Sequence, residues 1–530
     1  MLLRTIFIDN NNSEFKKIGS HVTSLIQEYF SISSLKYPDK TCVSFESQKI
    51  SFKEMELFTN SFAKFIKSKG IQRNSFIPFF IPKSINSIKS ILAILKSDCS
   101  YIPLDIEMPK DRLISILENS NAPCIIVDTN SKKLFGSLIN SQIPLLNIED
   151  FSQHDSSPLC YANLSTDVAY TIYTSGSTGV PKGVMISHQG ILDYIDWCVE
   201  TYELTAKDEI SNHAPLYFDN STFDLYTAFK TGATLHLAPH EINSFPPKLT
   251  QWIKQNEISC FFCVPSVMSI LSKTKSISEN CFPKLKNLIF AGETLAPKVL
   301  HHFQQLLPHT QFTNMYGPTE ITVDCTYYKI PKEITDFPKG IPIGVVRKNM
   351  EIFVRTNDNK ILRGPNVDGE LLVRGKSVSL GYLNDPQKTK DQFIQNPFNC
   401  FYHDPLYCTG DLVTIGGDGL IYFVGRADNQ IKFMGYRIEL GEIERALCDF
   451  HFIKEAVVVF NHLDQIGNKF IAAMVEASDE TTEEKIKMEM SQKVPKYMVP
   501  KKISIVEQLP KTSNDKFDRI KISKMLFGEK

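Results

Sequence analysis

Segments with helical periodicity alternate with short apolar segments along most of the chain, and this alternation limits the fold more than any other feature. In "KSINSIKSILAILKS" apolar residues recur at helical spacing, and "APCIIVDT" follows at strand length. The same order continues with the strands "ISCFFCVP", "KNLIFAGE" and "QFTNMYG" around the helix "PKVLHHFQQLLP". Alternation of this kind predicts α/β layers with largely parallel sheets.

The pattern changes near Lys348. The segments "NMEIFVRTNDNKIL", "GELLVRGKSVSLGYL" and "TIGGDGLIYFVGR" are typical of hairpins and predict a small β subdomain over about residues 348–427. Farther on, "KEAVVVFNHLDQIGNKFIAAMVEA" predicts another hairpin, and "TTEEKIKMEMSQKVP" predicts a helix that ends before Pro495. Because no long linker is present, we place the border between a domain 1–427 and a domain 428–530 in the segment "GRADNQ".

Charge and hydropathy exclude several classes of protein. The 530 residues carry a formal net charge of -1, so no basic field would attract a nucleic acid or an acidic membrane. No apolar run reaches the roughly 18 residues of a membrane span, and Arg4 interrupts the apolar start, which makes a poor signal peptide. The one close cysteine pair, Cys260 and Cys263, lies in an apolar stretch and predicts a buried strand rather than a zinc or redox site. We expect a cytoplasmic protein with no nucleic-acid or membrane partner.

The stretch "YTIYTSGSTGVPKG" joins a strand-like segment to a small polar loop with Lys182 near its end. Glycine and small hydroxylated residues let backbone N–H groups approach an anion and form a concavity around it. The loop is not a Walker A motif, because Pro181 stands where that motif requires its second glycine. The loop alone favours phosphate binding over its alternative, a mobile surface turn.

Nine segments in succession resemble the motifs of the adenylate-forming enzymes, and within them the adenylation domains of nonribosomal peptide synthetases and amino acid–carrier-protein ligases. The resemblance runs from about residue 20 to 525, through "ILKSDCSYIPLD", "YTSGSTGVPKG", "FDNSTFDLY", "NMYGPTE", "GELLVRGKSVSLGYL", "YCTGD", "GRADNQIKFMGYRIELGEIE", "VPKYMVP" and "NDKFDR". It implies a large N-terminal domain of two α/β subdomains with the small β subdomain, followed by a small mobile α+β C-terminal domain. It also implies that a carboxylate is activated with ATP and Mg²⁺ and then passed to a thiol.

The resemblance assigns one set of residues to ATP. It includes Thr174, Ser175, Gly176, Ser177, Thr178, Gly179, Lys182, Asn314, Tyr316, Gly317, Asp411 and Arg426. In this set Tyr316 would lie against the adenine, Asn314 at its exocyclic amine, and Asp411 on the ribose. Thr319 would donate to the α-phosphate and Glu320 would hold Mg²⁺, since a hard cation prefers carboxylate oxygen.

Four further residues are assigned to a two-state mechanism in which the C-terminal domain turns between the half-reactions. Lys516 resembles the catalytic lysine, which would neutralise charge while the adenylate forms. Asp428 resembles the hinge. After rotation, Gly435 would line a channel for a phosphopantetheine arm, and Arg437 would contact a phosphate or the carrier.

The substrate is predicted to be an amino acid, because Asp219 in "YFDNSTFDLY" corresponds to the carboxylate that meets the α-ammonium group. The side-chain pocket implied by the resemblance comprises Asn220, Phe223, Phe262, Ile289, Ala291, Met315, Val323 and Asp324. The large side chains favour a small or medium substrate, hydroxylated or not. A longer basic side chain that reaches Asp324 is the rival.

The sequence shows no carrier-domain "GGxS" serine and no "HHxxxDG" motif. We therefore expect a free-standing monomer that loads a carrier protein in trans. Two alternatives stay open. The first is an acyl- or aryl-coenzyme A ligase, against which Asp219 argues, because its substrate would carry no ammonium group. The second is a non-catalytic binding module, against which Glu320, Asp411 and Lys516 argue, because such a module would not need them.

Overall fold

The computed structural model of the protein contains two large sheets with helices packed against them. It describes residues 23–139, 142–151, 154–176, 180–242, 245–332, 336–461, 469–477, 481–511 and 517–528. The helices are α1 (Gln27–Lys36), α2 (Phe52–Ser68), α3 (Ile85–Lys96), α4 (Lys110–Ser120), α5 (Thr129–Leu138), α6 (His188–Tyr202), α7 (Ser221–Thr231), α8 (Pro246–Gln255), α9 (Pro265–Lys273), α10 (Pro297–Leu306), α11 (Pro386–Gln392), α12 (Leu440–Cys448), α13 (Glu483–Lys493) and α14 (Arg519–Phe527).

The strands fall into five sheets. They are β1 (Thr41–Phe45), β2 (Gln48–Ser51), β3 (Phe76–Phe79), β4 (Ser100–Pro103), β5 (Ile125–Val127), β6 (Leu145–Asn147), β7 (Val168–Thr174), β8 (Lys182–Ser187), β9 (Glu209–Asn212), β10 (Thr234–Leu237), β11 (Cys260–Cys263), β12 (Asn287–Ala291), β13 (Gln311–Tyr316), β14 (Thr326–Lys329), β15 (Val345–Val346), β16 (Met350–Arg355), β17 (Ile361–Leu362), β18 (Val367–Gly375), β19 (Phe393–Gln395), β20 (Pro405–Ile415), β21 (Ile421–Arg426), β22 (Gln430–Phe433), β23 (Tyr436–Glu439), β24 (Ile453–Asn461), β25 (Phe470–Ala477) and β26 (Lys502–Val506).

The prediction of largely parallel α/β sheets is confirmed. One sheet has the strand order β15-β14-β13-β12-β11-β9-β10-β1-β2, and the six strands from β13 to β1 in this order run parallel. The other has the order β6-β5-β3-β4-β7-β8, and only its edge strand β8 pairs antiparallel. Ligands of such folds bind where strands end. The small polar loop described above begins at the end of β7 and leads into β8.

Helix α3 shows how the local sequence produces these elements. Ser84 caps its N-terminus, because its side chain accepts a hydrogen bond from the backbone of Ser87. The helical face predicted from the apolar spacing is buried, with Ile88, Leu92 and Leu95 fully inaccessible. The helix therefore forms where both its cap and its apolar face predict it.

The β subdomain differs from the prediction in one segment. The predicted hairpins β16–β17 and β20–β21 are present. The segment "GELLVRGKSVSLGYL" is not a hairpin, and this prediction was wrong. Its first part belongs to the single strand β18, whose two edges are occupied by β16 and β20, so the residues after Gly375 have no free edge to pair with. Instead, they leave the sheet, and Tyr382 forms a bridge with Val184 of β8.

The C-terminal part contains the hairpin β22–β23 and a three-stranded sheet, β24-β25-β26. Side chains of β24 alternate between two apolar clusters. Val458 packs with the hairpin, α12 and α13, whereas Val457 packs with α14 and with Phe517. The two faces of this sheet therefore carry different elements, with the hairpin on one and the residue that follows Lys516 on the other. Among the described residues, no helix is both long and apolar enough to cross a membrane.

Arg347 joins the β subdomain to the α/β layers. Its side chain is fully buried and binds Asp193 of α6 at 2.8 Å, the carbonyl oxygen of Asp324 at 2.9 Å and the hydroxyl of Ser377 at 2.5 Å. The guanidinium carbon also lies 5.7 Å from the ring centroid of Trp197. A buried cation with this many partners fixes the relative position of the elements that it joins.

We expect Arg347→Met to lower the free energy of unfolding by about 3–5 kcal/mol, because the carboxylate of Asp193 would stay buried without its cation. Adding Asp193→Asn should restore part of the loss by removing that charge. Urea unfolding followed by the fluorescence of Trp197 measures both variants. A loss below about 0.5 kcal/mol, typical of a surface change, would show that Arg347 does not join these layers.

Candidate active site

Glu320 lies at the centre of the site, in the 3₁₀ turn Thr319–Ile321 that follows β13. Its carboxylate is fully buried and accepts from three groups: the Arg437 guanidinium at 2.7 Å, the Tyr382 hydroxyl at 2.8 Å and the Lys182 ammonium at 3.2 Å. Burial alone would raise the pKa of Glu320, but Arg437 and Lys182 outweigh it and hold the pKa well below its usual range. Glu320 is therefore an ionised carboxylate that depends on nearby cations.

Lys182 is the first residue of β8 and follows the glycine-rich loop. Its pKa is lowered to about 8, chiefly by burial and also by the charge of Arg437, while Glu320 opposes the change. The pKa of Lys182 is therefore close to neutral pH, and a nearby anion would stabilise its charged form. The role of Lys182 at a phosphate stays a prediction.

The described start of the loop contacts the C-terminal part of the chain. The Ser175 hydroxyl donates to the carbonyl oxygen of Arg437 at 2.5 Å. The hydroxyl of Thr174 is buried and has no hydrogen-bond partner among the described residues. Ser177, Thr178 and Gly179 lie outside the described residues.

The predicted nucleotide-binding residues form one connected group. The Tyr316 hydroxyl donates to one oxygen of Asp411 at 2.5 Å, and Arg426 donates to the other at 2.6 Å. A carboxylate oxygen has more than one acceptor site, so Asp411 retains capacity for two further hydroxyl donors. Arg426 also holds Asp428 through two hydrogen bonds, of 2.7 and 2.6 Å.

A cavity of about 700 Å³ opens beside this group, and its walls include Asn314, Tyr316, Phe423 and Arg426. The Asn314 amide donates to the carbonyl oxygen of Pro342 at 2.8 Å, which leaves its own oxygen as an acceptor. At Gly317 an added Cβ would lie 2.4 Å from the carbonyl oxygen of Val323, so only glycine fits this turn.

The register of the nine-stranded sheet brings the predicted side-chain pocket together. Phe262 pairs with Ile289, and Ala291 pairs with Met315, so all four side chains lie on one face of three neighbouring strands. They belong to one apolar cluster with Phe223 and Val323, whereas their neighbours Phe261, Cys263, Leu288 and Phe290 face another. The ring of Phe223 in α7 meets that of Phe262 edge-on, with centroids 5.4 Å apart.

Two carboxylates belong to this pocket. Burial raises the pKa of Asp219, while a hydrogen bond from Thr319 opposes the rise and the charge of Glu320 adds to it. Burial also raises the pKa of Asp324, to about 8, and the charge of Asp219 contributes. The Tyr194 hydroxyl lies 3.2 Å from Asp324. The oxygen of the Asn220 side chain is buried without a hydrogen-bond partner in the described chain.

Residues from outside the predicted set complete the site. Tyr382, in the quoted segment "SLGYL", donates to Glu320, and its ring centroid lies 5.0 Å from the ammonium of Lys182. Tyr194 and Tyr202 come from α6, and the Tyr202 hydroxyl lies 3.1 Å from the sulfur of Met315. Their helix shows only ordinary amphipathic spacing, so no local sequence signal marks these two tyrosines as site residues.

The hairpin β22–β23 faces the site. Arg437 reaches Glu320, and the backbone N–H of Gly435, in the left-handed conformation at φ 82°, donates to Glu293 at 2.8 Å. The role of Arg437 as a phosphate or carrier contact stays a prediction, since here its side chain binds Glu320. Lys516 lies outside the described residues. Its neighbour Phe517 belongs to the sheet face opposite the hairpin.

Comparison with known proteins identifies the family. Residues 30–383 match the AMP-binding enzyme family, and residues 442–516 match the AMP-binding enzyme C-terminal domain. The chain belongs to the AMP-binding enzyme family. Zwittermicin A synthase ZmaJ of Bacillus cereus is 32% identical to it, over 96% of each chain. Tyrocidine synthase 1 of Brevibacillus parabrevis is 31% identical over 93% of this chain, which spans only 44% of that protein's length.

Solved structures show the same fold for this AMP-binding enzyme. The adenylation domain AlmE of Vibrio cholerae, in complex with glycyl-adenosine-5'-phosphate, has a TM-score of 0.84 at 21% identity and covers 96% of this chain and 99% of its own. Holo-PA1221, an NRPS protein with adenylation and PCP domains, has a TM-score of 0.81 at 20% identity, with 94% of this chain and 84% of its own covered. The expected α/β core with a small C-terminal domain is confirmed, and the chain has the fold of these adenylation domains.

The raised pKa of Asp324 predicts a pH-dependent stability. Between about pH 4, its ordinary pKa, and about 8, the folded state keeps a proton that the unfolded state loses. Stability should therefore fall as the pH rises through this window. Asp324→Asn cannot ionise, so its melting temperature should rise relative to that of the unchanged protein as the pH increases. Melting temperatures measured across the window test this, and parallel curves for the two proteins would contradict it.

Proposed function

We propose that this protein activates an amino acid with ATP, releases pyrophosphate, and transfers the aminoacyl group to the phosphopantetheine thiol of a carrier protein in trans. The observation that carries the proposal is the half-buried carboxylate of Asp219 beside the apolar pocket. Asp219 is desolvated, and the nearby charge of Glu320 disfavours its ionised form. A substrate ammonium group would relieve both effects, whereas a fatty or aryl acid would not.

The ATP-binding residues fit a nucleotide. The free acceptor of Asn314 suits an exocyclic amine, the ring of Tyr316 offers a flat face, and Asp411 has acceptor sites left for ribose hydroxyls. Lys182 and the loop that precedes it would hold the phosphates, and Thr319 would donate to the α-phosphate. Lys182 lies on β8 and Thr319 in the turn after β13, so these two donors need little reorganisation when charge develops on the phosphate.

Glu320 would hold Mg²⁺. No cluster of three or more candidate metal ligands occurs among the described residues, so the ion would be bound by one carboxylate with phosphate oxygens and water. Mg²⁺ is commonly bound in this way in nucleotide sites, and a buried carboxylate with a depressed pKa suits it. When bound, the ion would shield the negative charge of the phosphates.

The C-terminal domain would serve the two half-reactions in turn, with Asp428 as the hinge. Lys516 would stabilise charge while the adenylate forms, and its neighbour Phe517 lies on the sheet face opposite the hairpin. In the present arrangement the hairpin face meets the site. We therefore assign this arrangement to the transfer step, with Gly435 at the channel.

The pocket supports a small or medium amino acid. Phe223, Phe262 and Met315 are buried and fill volume, and Asp324 with Tyr194 supplies polar groups. A protonated Asp324 can donate to a hydroxylated side chain, whereas a basic side chain would need it ionised. We favour the first, because burial raises the pKa of Asp324 and Arg347 bonds its backbone oxygen rather than its carboxylate.

The match to ZmaJ covers 96% of both chains, and we propose that the carrier is a separate protein. Amino-acid-dependent ATP–pyrophosphate exchange tests the proposal across all proteinogenic and several D-amino acids. Exchange should occur with one or a few of them. Exchange only with a fatty or aryl acid would make the protein a coenzyme A ligase, and none with any acid would make it a binding module.

Asp219→Ala should bind ATP almost normally and lose amino-acid-dependent exchange, because a lost ammonium–carboxylate pair in a dry site costs about 3–5 kcal/mol. ATP binding is measured by calorimetry and the amino-acid KM by exchange. Asp155→Ala, at an exposed carboxylate, is the matched control and should match the unchanged protein. Full exchange by Asp219→Ala would leave the amino-acid substrate class unsupported.

Lys516→Ala should depress pyrophosphate exchange by roughly 10²–10³, the usual effect of losing one charge-stabilising donor. Given chemically prepared aminoacyl-adenylate, it should still load a thiol. Gly435→Leu should show the reverse, since an added Cβ already lies 2.9 Å from Val264 and the backbone is left-handed there. Lys521→Ala is the control for a lysine on the same domain. Equal damage to both steps by both variants would contradict domain alternation.

A further inference from the structure

The tip of the hairpin β22–β23 rests on a carboxylate that has no role in the proposed chemistry. One oxygen of Glu293 accepts from the backbone N–H of Gly435 at 2.8 Å, and the other accepts from the backbone N–H of Ser266 at 3.0 Å. Glu293 follows β12 directly, whereas Gly435 is 142 residues farther along the chain. The carboxylate thus joins the large domain to the tip of the mobile one.

The large domain holds Glu293 in place. Ser266 is in the first turn of α9, where Val264 provides no side-chain cap, so Glu293 supplies the acceptor that this turn lacks. This contact lies entirely within the large domain and is independent of the hairpin. One oxygen is thereby fixed, and the other is held ready for a donor from outside.

The shape of the hairpin tip fits this place. Met434 and Gly435 both have positive φ, of 53° and 82°, which turns the N–H of Gly435 outward from the hairpin. An added Cβ on Gly435 would lie 2.9 Å from the side chain of Val264. The tip therefore approaches the start of α9 closely enough that steric fit and the hydrogen bond to Glu293 define one position.

A second contact anchors the same hairpin two residues after its tip, where Arg437 meets Glu320 at 2.7 Å. The two contacts differ in the step of the reaction that their loss would affect. Glu320 belongs to the proposed phosphate chemistry, so its loss would damage both half-reactions. Both oxygens of Glu293 are occupied by backbone N–H groups, one of which belongs to the hairpin and is present only in this orientation.

We propose that Glu293 is a positioning residue for the transfer step, which holds the hairpin tip in the orientation used for thioester formation and takes no part in adenylate formation. This inference rests on the proposed function. It adds a residue of the large domain to those that select between the two orientations.

Two variants and a matched control test the role of Glu293. Glu293→Ala removes both acceptor oxygens, and Glu293→Gln keeps one of them. Glu279→Ala, the control, removes an exposed carboxylate of the same large domain. Each is assayed for pyrophosphate exchange with the amino acid that gives the highest rate. Each is then assayed for loading of pantetheine from chemically prepared aminoacyl-adenylate. Hydrogen–deuterium exchange of residues 430–439 in the ligand-free protein gives a readout that needs no substrate.

We expect Glu293→Ala to keep pyrophosphate exchange within about twofold and to lose on the order of tenfold in thiol loading, as for a lost hydrogen bond to a charged group. The backbone of residues 430–439 should exchange faster by a similar factor. Glu293→Gln should lie between Glu293→Ala and the unchanged protein, and Glu279→Ala should change nothing.

Equal losses in both half-reactions, or undisturbed loading together with undisturbed hydrogen exchange, would overturn the role of Glu293. These outcomes differ from a failure of the proposed function, in which the unchanged protein itself shows no exchange with any amino acid.

Discussion

A fully buried carboxylate, that of Glu320, makes the rest of the site dependent on its partners. A buried ion is tolerated only when opposite charge and hydrogen bonds compensate it. Here the compensation comes from separate parts of the chain: Lys182 of β8, Tyr382 after β18, and Arg437 of the C-terminal hairpin. The position of the C-terminal domain is therefore part of what keeps Glu320 ionised.

This dependence connects the orientation of the domain to the proposed phosphate chemistry. If the hairpin leaves, Glu320 loses its 2.7 Å contact with Arg437 and needs another cation. In our proposal Glu320 would hold Mg²⁺ in that arrangement, and the ion would supply the positive charge that Arg437 supplies here. The same exchange would free the start of the loop, because the Ser175 hydroxyl now donates to the C-terminal domain and would then be available to phosphates. One carboxylate and one loop thus have two alternative sets of partners.

The sequence was sufficient for the layers and for much of the pocket. The helix α3 and the strands β11, β12 and β13 were predictable from periodicity, because their apolar faces coincide with their burial. The pocket residues came from the family resemblance, and the strand register places Phe262, Ile289, Ala291 and Met315 on one face. The segment that contains β18 was misjudged, because turn residues alone do not reveal that both edges of a strand are already paired.

Other features were not accessible from the sequence. The contacts of Arg437 with Glu320 and of Gly435 with Glu293 join residues more than a hundred positions apart, and no local pattern encodes such pairs. Tyr194 and Tyr202 lie on a helix whose spacing predicts burial but not which pocket it borders. Lys516, Ser177, Thr178 and Gly179 lie outside the described residues, and their roles rest on the resemblance.

The distance between the two domains, measured by electron spin resonance, tests most directly whether Glu320 has alternative partners. Spin labels on unnatural residues at Lys207 and Met488 report the orientation of the C-terminal domain. We expect one main distance without ligand, and a second population with Mg²⁺ and a non-hydrolysable ATP analogue. Arg437→Met should favour that second population even without ligand. A single distance, unchanged by nucleotide, metal and the loss of Arg437, would contradict the account.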